Sequence, residues 1–307
     1  MITVVGSSNI DYIISNKKLP EPGETIYGTG MFITAGGKGA NQAAAAARLG
    51  ADVCFLSKVG GNDKNSEILW EKLKWAGVNI DNIEVEENTY CGYGFVMVSE
   101  DGQNRIIIIK GANEYITPQY VEKHKETIIN SKICMSEFMI PIETAEYAIS
   151  IAHNNGVVTI LNPAPAFPID DRFYKKIDII TPNEIEARDI SGVEIKDKKS
   201  AVEAANYFHA KGVKNVLITL GSRGSFISDG TRQEFIKSYN VKAIDTSGAG
   251  DSFNGGLAYS IWKGKDIFEA AHFATAVAAV SVTRQGTMPS MPTLSEVEDL
   301  IKSQNAS

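Results

Sequence analysis

Short apolar runs alternate along the chain with longer segments whose apolar residues recur every three or four positions. This is the pattern of buried strands joined by amphipathic helices. The runs predict strands at Ile2–Val5, Val53–Lys58, Ile133–Ser136, Val157–Leu161, Ile177–Ile180 and Val216–Thr219. Helical spacing predicts helices over Lys38–Leu49, Ser66–Ala76, Glu143–Asn154, Ala201–Lys211 and Glu269–Thr283. Strand and helix alternating in this way give an α/β fold, a mainly parallel sheet covered by helices.

Two stretches break the rhythm, Tyr12 to about Thr34 and Gly92 to about Ile109. In the second, Tyr93–Val98 and Arg105–Ile109 flank the turn Glu100-Asp101-Gly102-Gln103 as a hairpin. Segments this far apart can pair into a small sheet projecting from the body, a natural lid or dimer surface. Ordinary surface hairpins fit the same pattern. With no repeat, low-complexity tract or linker, residues 1–307 are expected to fold as one unit with a flap. The polar tail Gln304-Asn305-Ala306-Ser307 is expected to fray.

Composition narrows the partners more than the fold. With 43% hydrophobic residues, 307 residues can bury a substantial core. A net charge of −7 argues against a main role on nucleic acid and favours a small molecule. Cys54, Cys91 and Cys134 stand far apart in apolar surroundings, which fits reduced core thiols and the cytoplasm. The start, Met1-Ile2-Thr3-Val4-Val5-Gly6, is a strand pattern rather than a signal peptide or membrane anchor.

The chemistry concentrates in loops. Asp245-Thr246-Ser247-Gly248-Ala249-Gly250-Asp251 leads into a helix-compatible run. Its glycines let backbone N–H groups converge, and a helix N-terminus adds free donors and a positive dipole end. Such a loop can bind phosphate, and Asp251 beside it is a candidate general base, expected to be ionised at neutral pH because a helix N-terminus favours the carboxylate. A second cluster, Gly36-Gly37-Lys38-Gly39-Ala40-Asn41-Gln42, also opens a helix. It matches neither the P-loop nor the dinucleotide fingerprint, and close packing and ligand contact are both open for it. Asn9 and Asp11 lie on one side of an extended segment, where an amide and a carboxylate suit sugar hydroxyls or, equally, an Asx turn. Thr181-Pro182-Asn183-Glu184-Ile185-Glu186 and Thr219-Leu220-Gly221-Ser222-Arg223-Gly224 each follow a strand. Ligands collect outside the carboxyl ends of such strands, so these loops should converge on one crevice. Glu186 could hold a water on Mg²⁺ or be a solvated helix-start glutamate.

Together with Asn162-Pro163-Ala164-Pro165-Ala166, these motifs stand in the order found in the ribokinase-like carbohydrate kinase family, which the chain closely resembles from about Ile2 to Pro292. The resemblance implies a three-layer αβα sandwich with a small β-sheet lid over about 12–34 and 92–109, a lid that often also forms a homodimer interface. It implies ATP-dependent phosphorylation of the terminal primary hydroxyl of a pentose, D-ribose foremost, with deoxyribose, another sugar or a nucleoside as alternatives. Asn9, Asp11, Gly37, Lys38 and Asn41 match sugar contacts; Asn183, Thr219, Leu220, Gly221, Ser222, Arg223 and Gly224 match the ATP site. Gly248, Ala249 and Gly250 match the anion hole and Asp251 the base. Mg²⁺ would accompany ATP, and a K⁺ site would take Asp245, Ser247, Ser281, Arg284, Gly286 and Ser290, largely through carbonyls.

Three positions depart from the family's pattern. An ungapped alignment puts Met139 where a sugar-contacting glutamate is usual, and Glu137 could replace it only by a two-residue shift of register. Tyr93-Gly94 stands for a small aliphatic pair on the lid, and Thr275 for a histidine near the adenine. These changes bear on which sugar is taken more than on catalysis. A dehydrogenase would carry its glycine-rich turn at Gly6-Ser7-Ser8-Asn9, which lacks the fingerprint. A non-catalytic sugar sensor would have no use for Asp251.

Overall fold

The computed structural model describes residues 1–101 and 103–305. The strands are β1 (Ile2–Val5), β2 (Asn9–Asn16), β3 (Gly30–Gly36), β4 (Val53–Leu56), β5 (Lys58–Gly60), β6 (Glu84–Glu86) and β7 (Gly92–Ser99). They continue as β8 (Asn104–Ile109), β9 (Ile133–Glu137), β10 (Val158–Asn162), β11 (Ile179–Ile180), β12 (Asn215–Thr219), β13 (Ser225–Ser228) and β14 (Gln233–Ile236). The main sheet runs β14-β13-β12-β11-β10-β9-β1-β4, parallel from β12 to β4, with β13 and β14 antiparallel at one edge.

Alternate residues of each strand face opposite ways and fill two separate cores. Ile2, Val4, Ile133, Met135 and Leu217 enter one, with the helices Lys38–Arg48, Ala249–Trp262 and Ile267–Ser281. Val5, Cys134, Leu161, Val216 and Ile218 enter the other, with Ile142–Asn154 and Lys198–Lys211. Helices on both faces make the three-layer αβα sandwich. Among the described residues, no helix is long and apolar enough to cross a membrane.

The out-of-rhythm segments pair into a separate sheet, β3-β2-β7-β8, with β2 and β7 parallel at its centre. Its strands run further towards the body than the apolar pattern implies: β2 starts at Asn9 and β3 ends at Gly36, so Asn9 and Asp11 belong to a lid strand. The lid is therefore rooted in the Asn9–Asp11 motif itself. Of the expected hairpin turn, Gly102 lies outside the described residues.

Other expectations need correcting. Val53–Lys58 is two strands, because Ser57 turns its Oγ to the Gly6 carbonyl (2.8 Å) and β5 leaves the main sheet to pair with β6. Ile177–Ile180 shortens to Ile179–Ile180. The edge strands β13 and β14 escape the apolar pattern, since Phe226 and Ile227 sit between serines and Gln233-Glu234 opens the second strand. The tail is helical over Leu294–Asn305, and Gln304 bonds both the N–H and the carbonyl of Asn240. Ala306 and Ser307 lie outside the described residues.

Candidate functional site

The helix Ala249–Trp262 begins at Gly248, whose φ of 74° is the left-handed region that glycine adopts freely. No side chain caps it. Among the described residues the N–H groups of Gly248, Gly250 and Asp251 have no protein acceptor, and that of Ala249 reaches only the Thr246 carbonyl at 3.3 Å. Free donors at the positive end of a fourteen-residue helix form an anion site.

Asp251, in the first turn, is buried. Its Oδ2 accepts from Asn41 Nδ2 (2.9 Å) and its Oδ1 from Gln42 Nε2 (3.1 Å). Gln42 Nε2 also donates to Asn162 Oδ1 (3.1 Å), whose Nδ2 donates to the Thr181 carbonyl. These amides fix the carboxylate from below while leaving Asn41 Oδ1 and Gln42 Oε1 without partners. Burial pushes the Asp251 carboxyl above the ordinary range, opposed by the Lys38 charge and the two amides. Burial therefore works against the ionisation that the positive helix end favours, and makes the carboxylate a better proton acceptor than an exposed one. The glycine motif that delivers Asn41 and Gln42 serves both readings left open by the sequence. A Cβ on Gly39 would lie 2.6 Å from Gly6 Cα, so that glycine is there for close packing, while Gly37, Lys38 and Asn41 line a cavity.

That cavity, of about 490 Å³, lies between lid and body and brings Asn9 and Asp11 together with Gly37, Lys38, Asn41 and Asp251. Asp11 is held above two glycines: a Cβ on Gly36 or Gly94 would fall inside its carboxylate. Burial, and then the nearby Asp251, raise the Asp11 pKa to about 7. Met139 lines the cavity beside Phe138 and Phe167, so this wall is apolar. Glu137 does not take over the missing carboxylate. It is fully buried, with Oε1 accepting from the Ser7 N–H (2.6 Å) and Oε2 from the Met139 N–H (2.5 Å), beneath the pocket floor.

Tyr93, a candidate sugar contact, points the other way and is corrected here. Residues alternate across β7, so Gly94 and Val96 face the cavity while Tyr93 and Phe95 pack outside against Tyr12. The Tyr93 hydroxyl donates to Asp63 Oδ2 (2.7 Å).

A second cavity of about 510 Å³ opens on the far side of the loop. Thr219, Gly221, Ser222, Gly224, Gly250 and Thr275 line it. Three residues expected there do not: Leu220 is buried in the core, Arg223 pairs with Glu184, and Asn183 lines the neighbouring space instead. Thr275 is tied to Ser225 Oγ (2.9 Å) and the Ala271 carbonyl, a small polar wall where a histidine was the alternative. Tyr239 and Phe253 also line this cavity; the irregular segment around 238–246 carries no periodic signal that would have placed it there. A third space of about 380 Å³ holds Lys38, Asn183, Glu186, Thr246, Gly250 and Asp251 and shares residues with both neighbours. The three form one path, with the anion site and Asp251 at the junction.

Two places were expected to hold cations. Asp245 Oδ1 accepts from the Ser247 N–H and Oδ2 from the Gly286 N–H (2.9 Å each), joining the loop to the segment after Ser281. Arg284 sends its guanidinium to Glu296, so only its carbonyl is available here, and Ser290 Oγ donates to the Thr287 carbonyl. The donor set is oxygen throughout, as a hard cation requires. Glu186 Oε2 closes a capping box on the Asn183 N–H, Asn183 Oδ1 accepts from Glu186 N, and Glu186 Oε1 has no protein partner among the described residues. Burial pushes the Glu186 carboxyl up, against the Lys38 charge.

Free backbone donors at a helix start and a buried carboxylate between two cavities suit a phosphotransferase on an αβα body, and the description of a pfkB family carbohydrate kinase matches residues 1–294. The chain belongs to that family. It is 40% identical over 301 residues to a ribokinase of Haemophilus influenzae, covering 98% of both chains. It is 32% identical to a deoxyribokinase of Salmonella typhimurium, again covering 98% of both. The structure of Arabidopsis thaliana ribokinase complexed with ribose and ATP superposes with a TM-score of 0.91 at 34% identity, covering 98% of each chain.

Proposed function

We propose that this chain transfers the γ-phosphoryl group of ATP to the terminal primary hydroxyl of D-ribose, giving D-ribose 5-phosphate and ADP. The observation that carries the reading is Asp251, held by Asn41 and Gln42 where the lid-side cavity meets the anion site. Asn9, Asp11, Gly37, Lys38 and Asn41 bind the sugar, while Asn183, Thr219, Gly221, Ser222, Gly224 and Thr275 line the nucleotide side. Asp251 accepts the hydroxyl proton as the sugar oxygen bonds to phosphorus and the bond to the bridging oxygen of ADP breaks. The amides of Gly248, Ala249 and Gly250 hold the transferring phosphoryl oxygens. Lid closure excludes water that would otherwise attack ATP.

Glu186, through Oε1 and a water, suits a Mg²⁺ carried in with ATP, whose role is to offset phosphate charge. Asp245, Ser247, Ser281, Arg284, Gly286 and Ser290 suit K⁺, which would stiffen the loop that aims the amides. The outer strand β8 exposes Ile107 and Ile109, an edge that pairing of two lids would cover, so a homodimer is expected. Three buried free thiols fit a reducing cytoplasm.

A second reading has its own observation: the apolar wall at Met139 offers no acceptor to a sugar hydroxyl, which favours deoxyribose or a substituted ribose such as a nucleoside. Turnover per KM from ADP release decides between them, measured over ribose, deoxyribose and nucleosides with and without potassium. Ribose ranking first supports the first reading, and a nucleoside ranking first overturns it.

A further inference from the structure

One buried amide lies outside every role described above. Asn113 follows β8 in Lys110-Gly111-Ala112-Asn113, the same four residues as Lys38-Gly39-Ala40-Asn41. It is 1% exposed. Its Oδ1 accepts from the Ser8 N–H (2.9 Å), while its Nδ2 donates to the Ser8 carbonyl (3.1 Å) and to Asn9 Oδ1 (2.9 Å). Gly92, at the start of β7, makes room for this pairing, since a Cβ there would overlap both amides.

Hydrogen-bond direction settles which way Asn9 points. A backbone N–H can only donate, so the Asn113 atom facing Ser8 N is oxygen and its other atom is the NH₂ group. That NH₂ requires an acceptor from Asn9, which must turn its own oxygen inward. Among the described residues Asn9 Nδ2 is left without a protein partner, on a residue that lines the lid-side cavity. We infer that Asn113 is a positioning residue: it fixes Asn9 as a hydrogen-bond donor towards the sugar, beside the acceptor Asp11. One hydroxyl can then accept from Asn9 while it, or its neighbour, donates to Asp11. The same amide ties together the roots of β2, β7 and β8, so the polarity of the sugar contact is set where the lid joins the body.

The inference rests on the lid-side cavity being the sugar site, which wild-type turnover on ribose tests separately. Asn113→Asp is nearly isosteric and keeps the acceptor for Ser8 N, but places a second acceptor against Asn9 Oδ1. Asn9 then flips and presents oxygen to the sugar next to Asp11. The expected result is a ribose KM raised about tenfold or more, with the ATP KM and kcat within about threefold of wild type. The deciding comparison is a double-mutant cycle with Asn9→Ala. If Asn113 acts through Asn9, adding Asn113→Asp to Asn9→Ala raises the ribose KM no further. Multiplying effects, or an unchanged ribose KM in the single variant, overturn the inference. Asn113→Ser, which releases Asn9 and the Ser8 backbone without facing Asn9 with a second acceptor, should give a smaller KM rise in the same cycle. Failure of both variants to bind ATP, read by thermal shift, would mean a purely structural knot and also overturn it.

Discussion

The two ends of the site are built differently. At the proposed phosphate end, free donors come from backbone at a helix start, and Asp251, the side chain proposed as base, is locked by amides from Asn41 and Gln42. At the proposed sugar end, the cavity is lined by side chains on a lid strand and a loop, and which of them face it depends on strand register and on partners far away, as with Asn9, Met139 and Tyr93. Chemistry fixed by backbone tolerates little change. Selectivity written in side chains can be altered one residue at a time, and of the departures from the family's pattern Gly94 and Met139 face the lid-side cavity while Thr275 lines the second one.

The comparison breaks first at Asp251. Asp251→Asn keeps the shape and removes the base, so kcat should fall by about 10³-fold or more while ATP still binds by thermal shift. Turnover near wild type would remove Asp251 from its role. Met139→Glu restores a carboxylate to the apolar wall; it should raise the preference for ribose over a deoxy-sugar by about 10- to 100-fold in kcat/KM, with kcat on ribose little changed. An unchanged preference would mean that this wall does not read a hydroxyl.

A smaller effect concerns Asp11. Its folded pKa of about 7 lies above that of an unfolded aspartate, so the folded chain keeps a proton that the unfolded chain releases. The associated stability is complete below the unfolded value and is lost as pH rises through 7. Relative to Asp11→Asn, the ligand-free wild type should lose up to ~1.4 kcal/mol per pH unit between about pH 4 and 7, measured by denaturant melts. A parallel pH profile in both proteins would contradict the burial argument. The smallest effect is expected for Tyr93→Phe, which loses the bond to Asp63 outside the cavity. Stability should drop by ~1 kcal/mol with the ribose KM within twofold of wild type, and a large KM change would return Tyr93 to the sugar site.

What could be read in the sequence follows the same division. The strand–helix alternation, the loop Gly248–Asp251 and the cavity-lining Asn9, Asp11, Lys38 and Asn41 are local patterns whose chemistry survives without coordinates. Arg223 and Leu220 stand in a site motif, but a loop motif does not say which side chains turn to a surface partner such as Glu184 or into the core. Tyr93 was misplaced by one residue of alternation, since Gly94 takes the inner face. Glu137 has the charge its neighbour lacks, yet two backbone N–H groups consume it. The pairings of Gln42 with Asp251 and of Asn113 with Asn9 span more than a hundred residues each, and no local periodicity encodes them.

The central claim is that the loop delivers phosphate to a terminal primary hydroxyl. The most direct measurement is the product of the wild-type enzyme with ribose and ATP, resolved by phosphorus and carbon NMR. The account predicts one ribose 5-phosphate for each ADP formed. Phosphate on a different hydroxyl, or ADP released without any sugar phosphate, would contradict it.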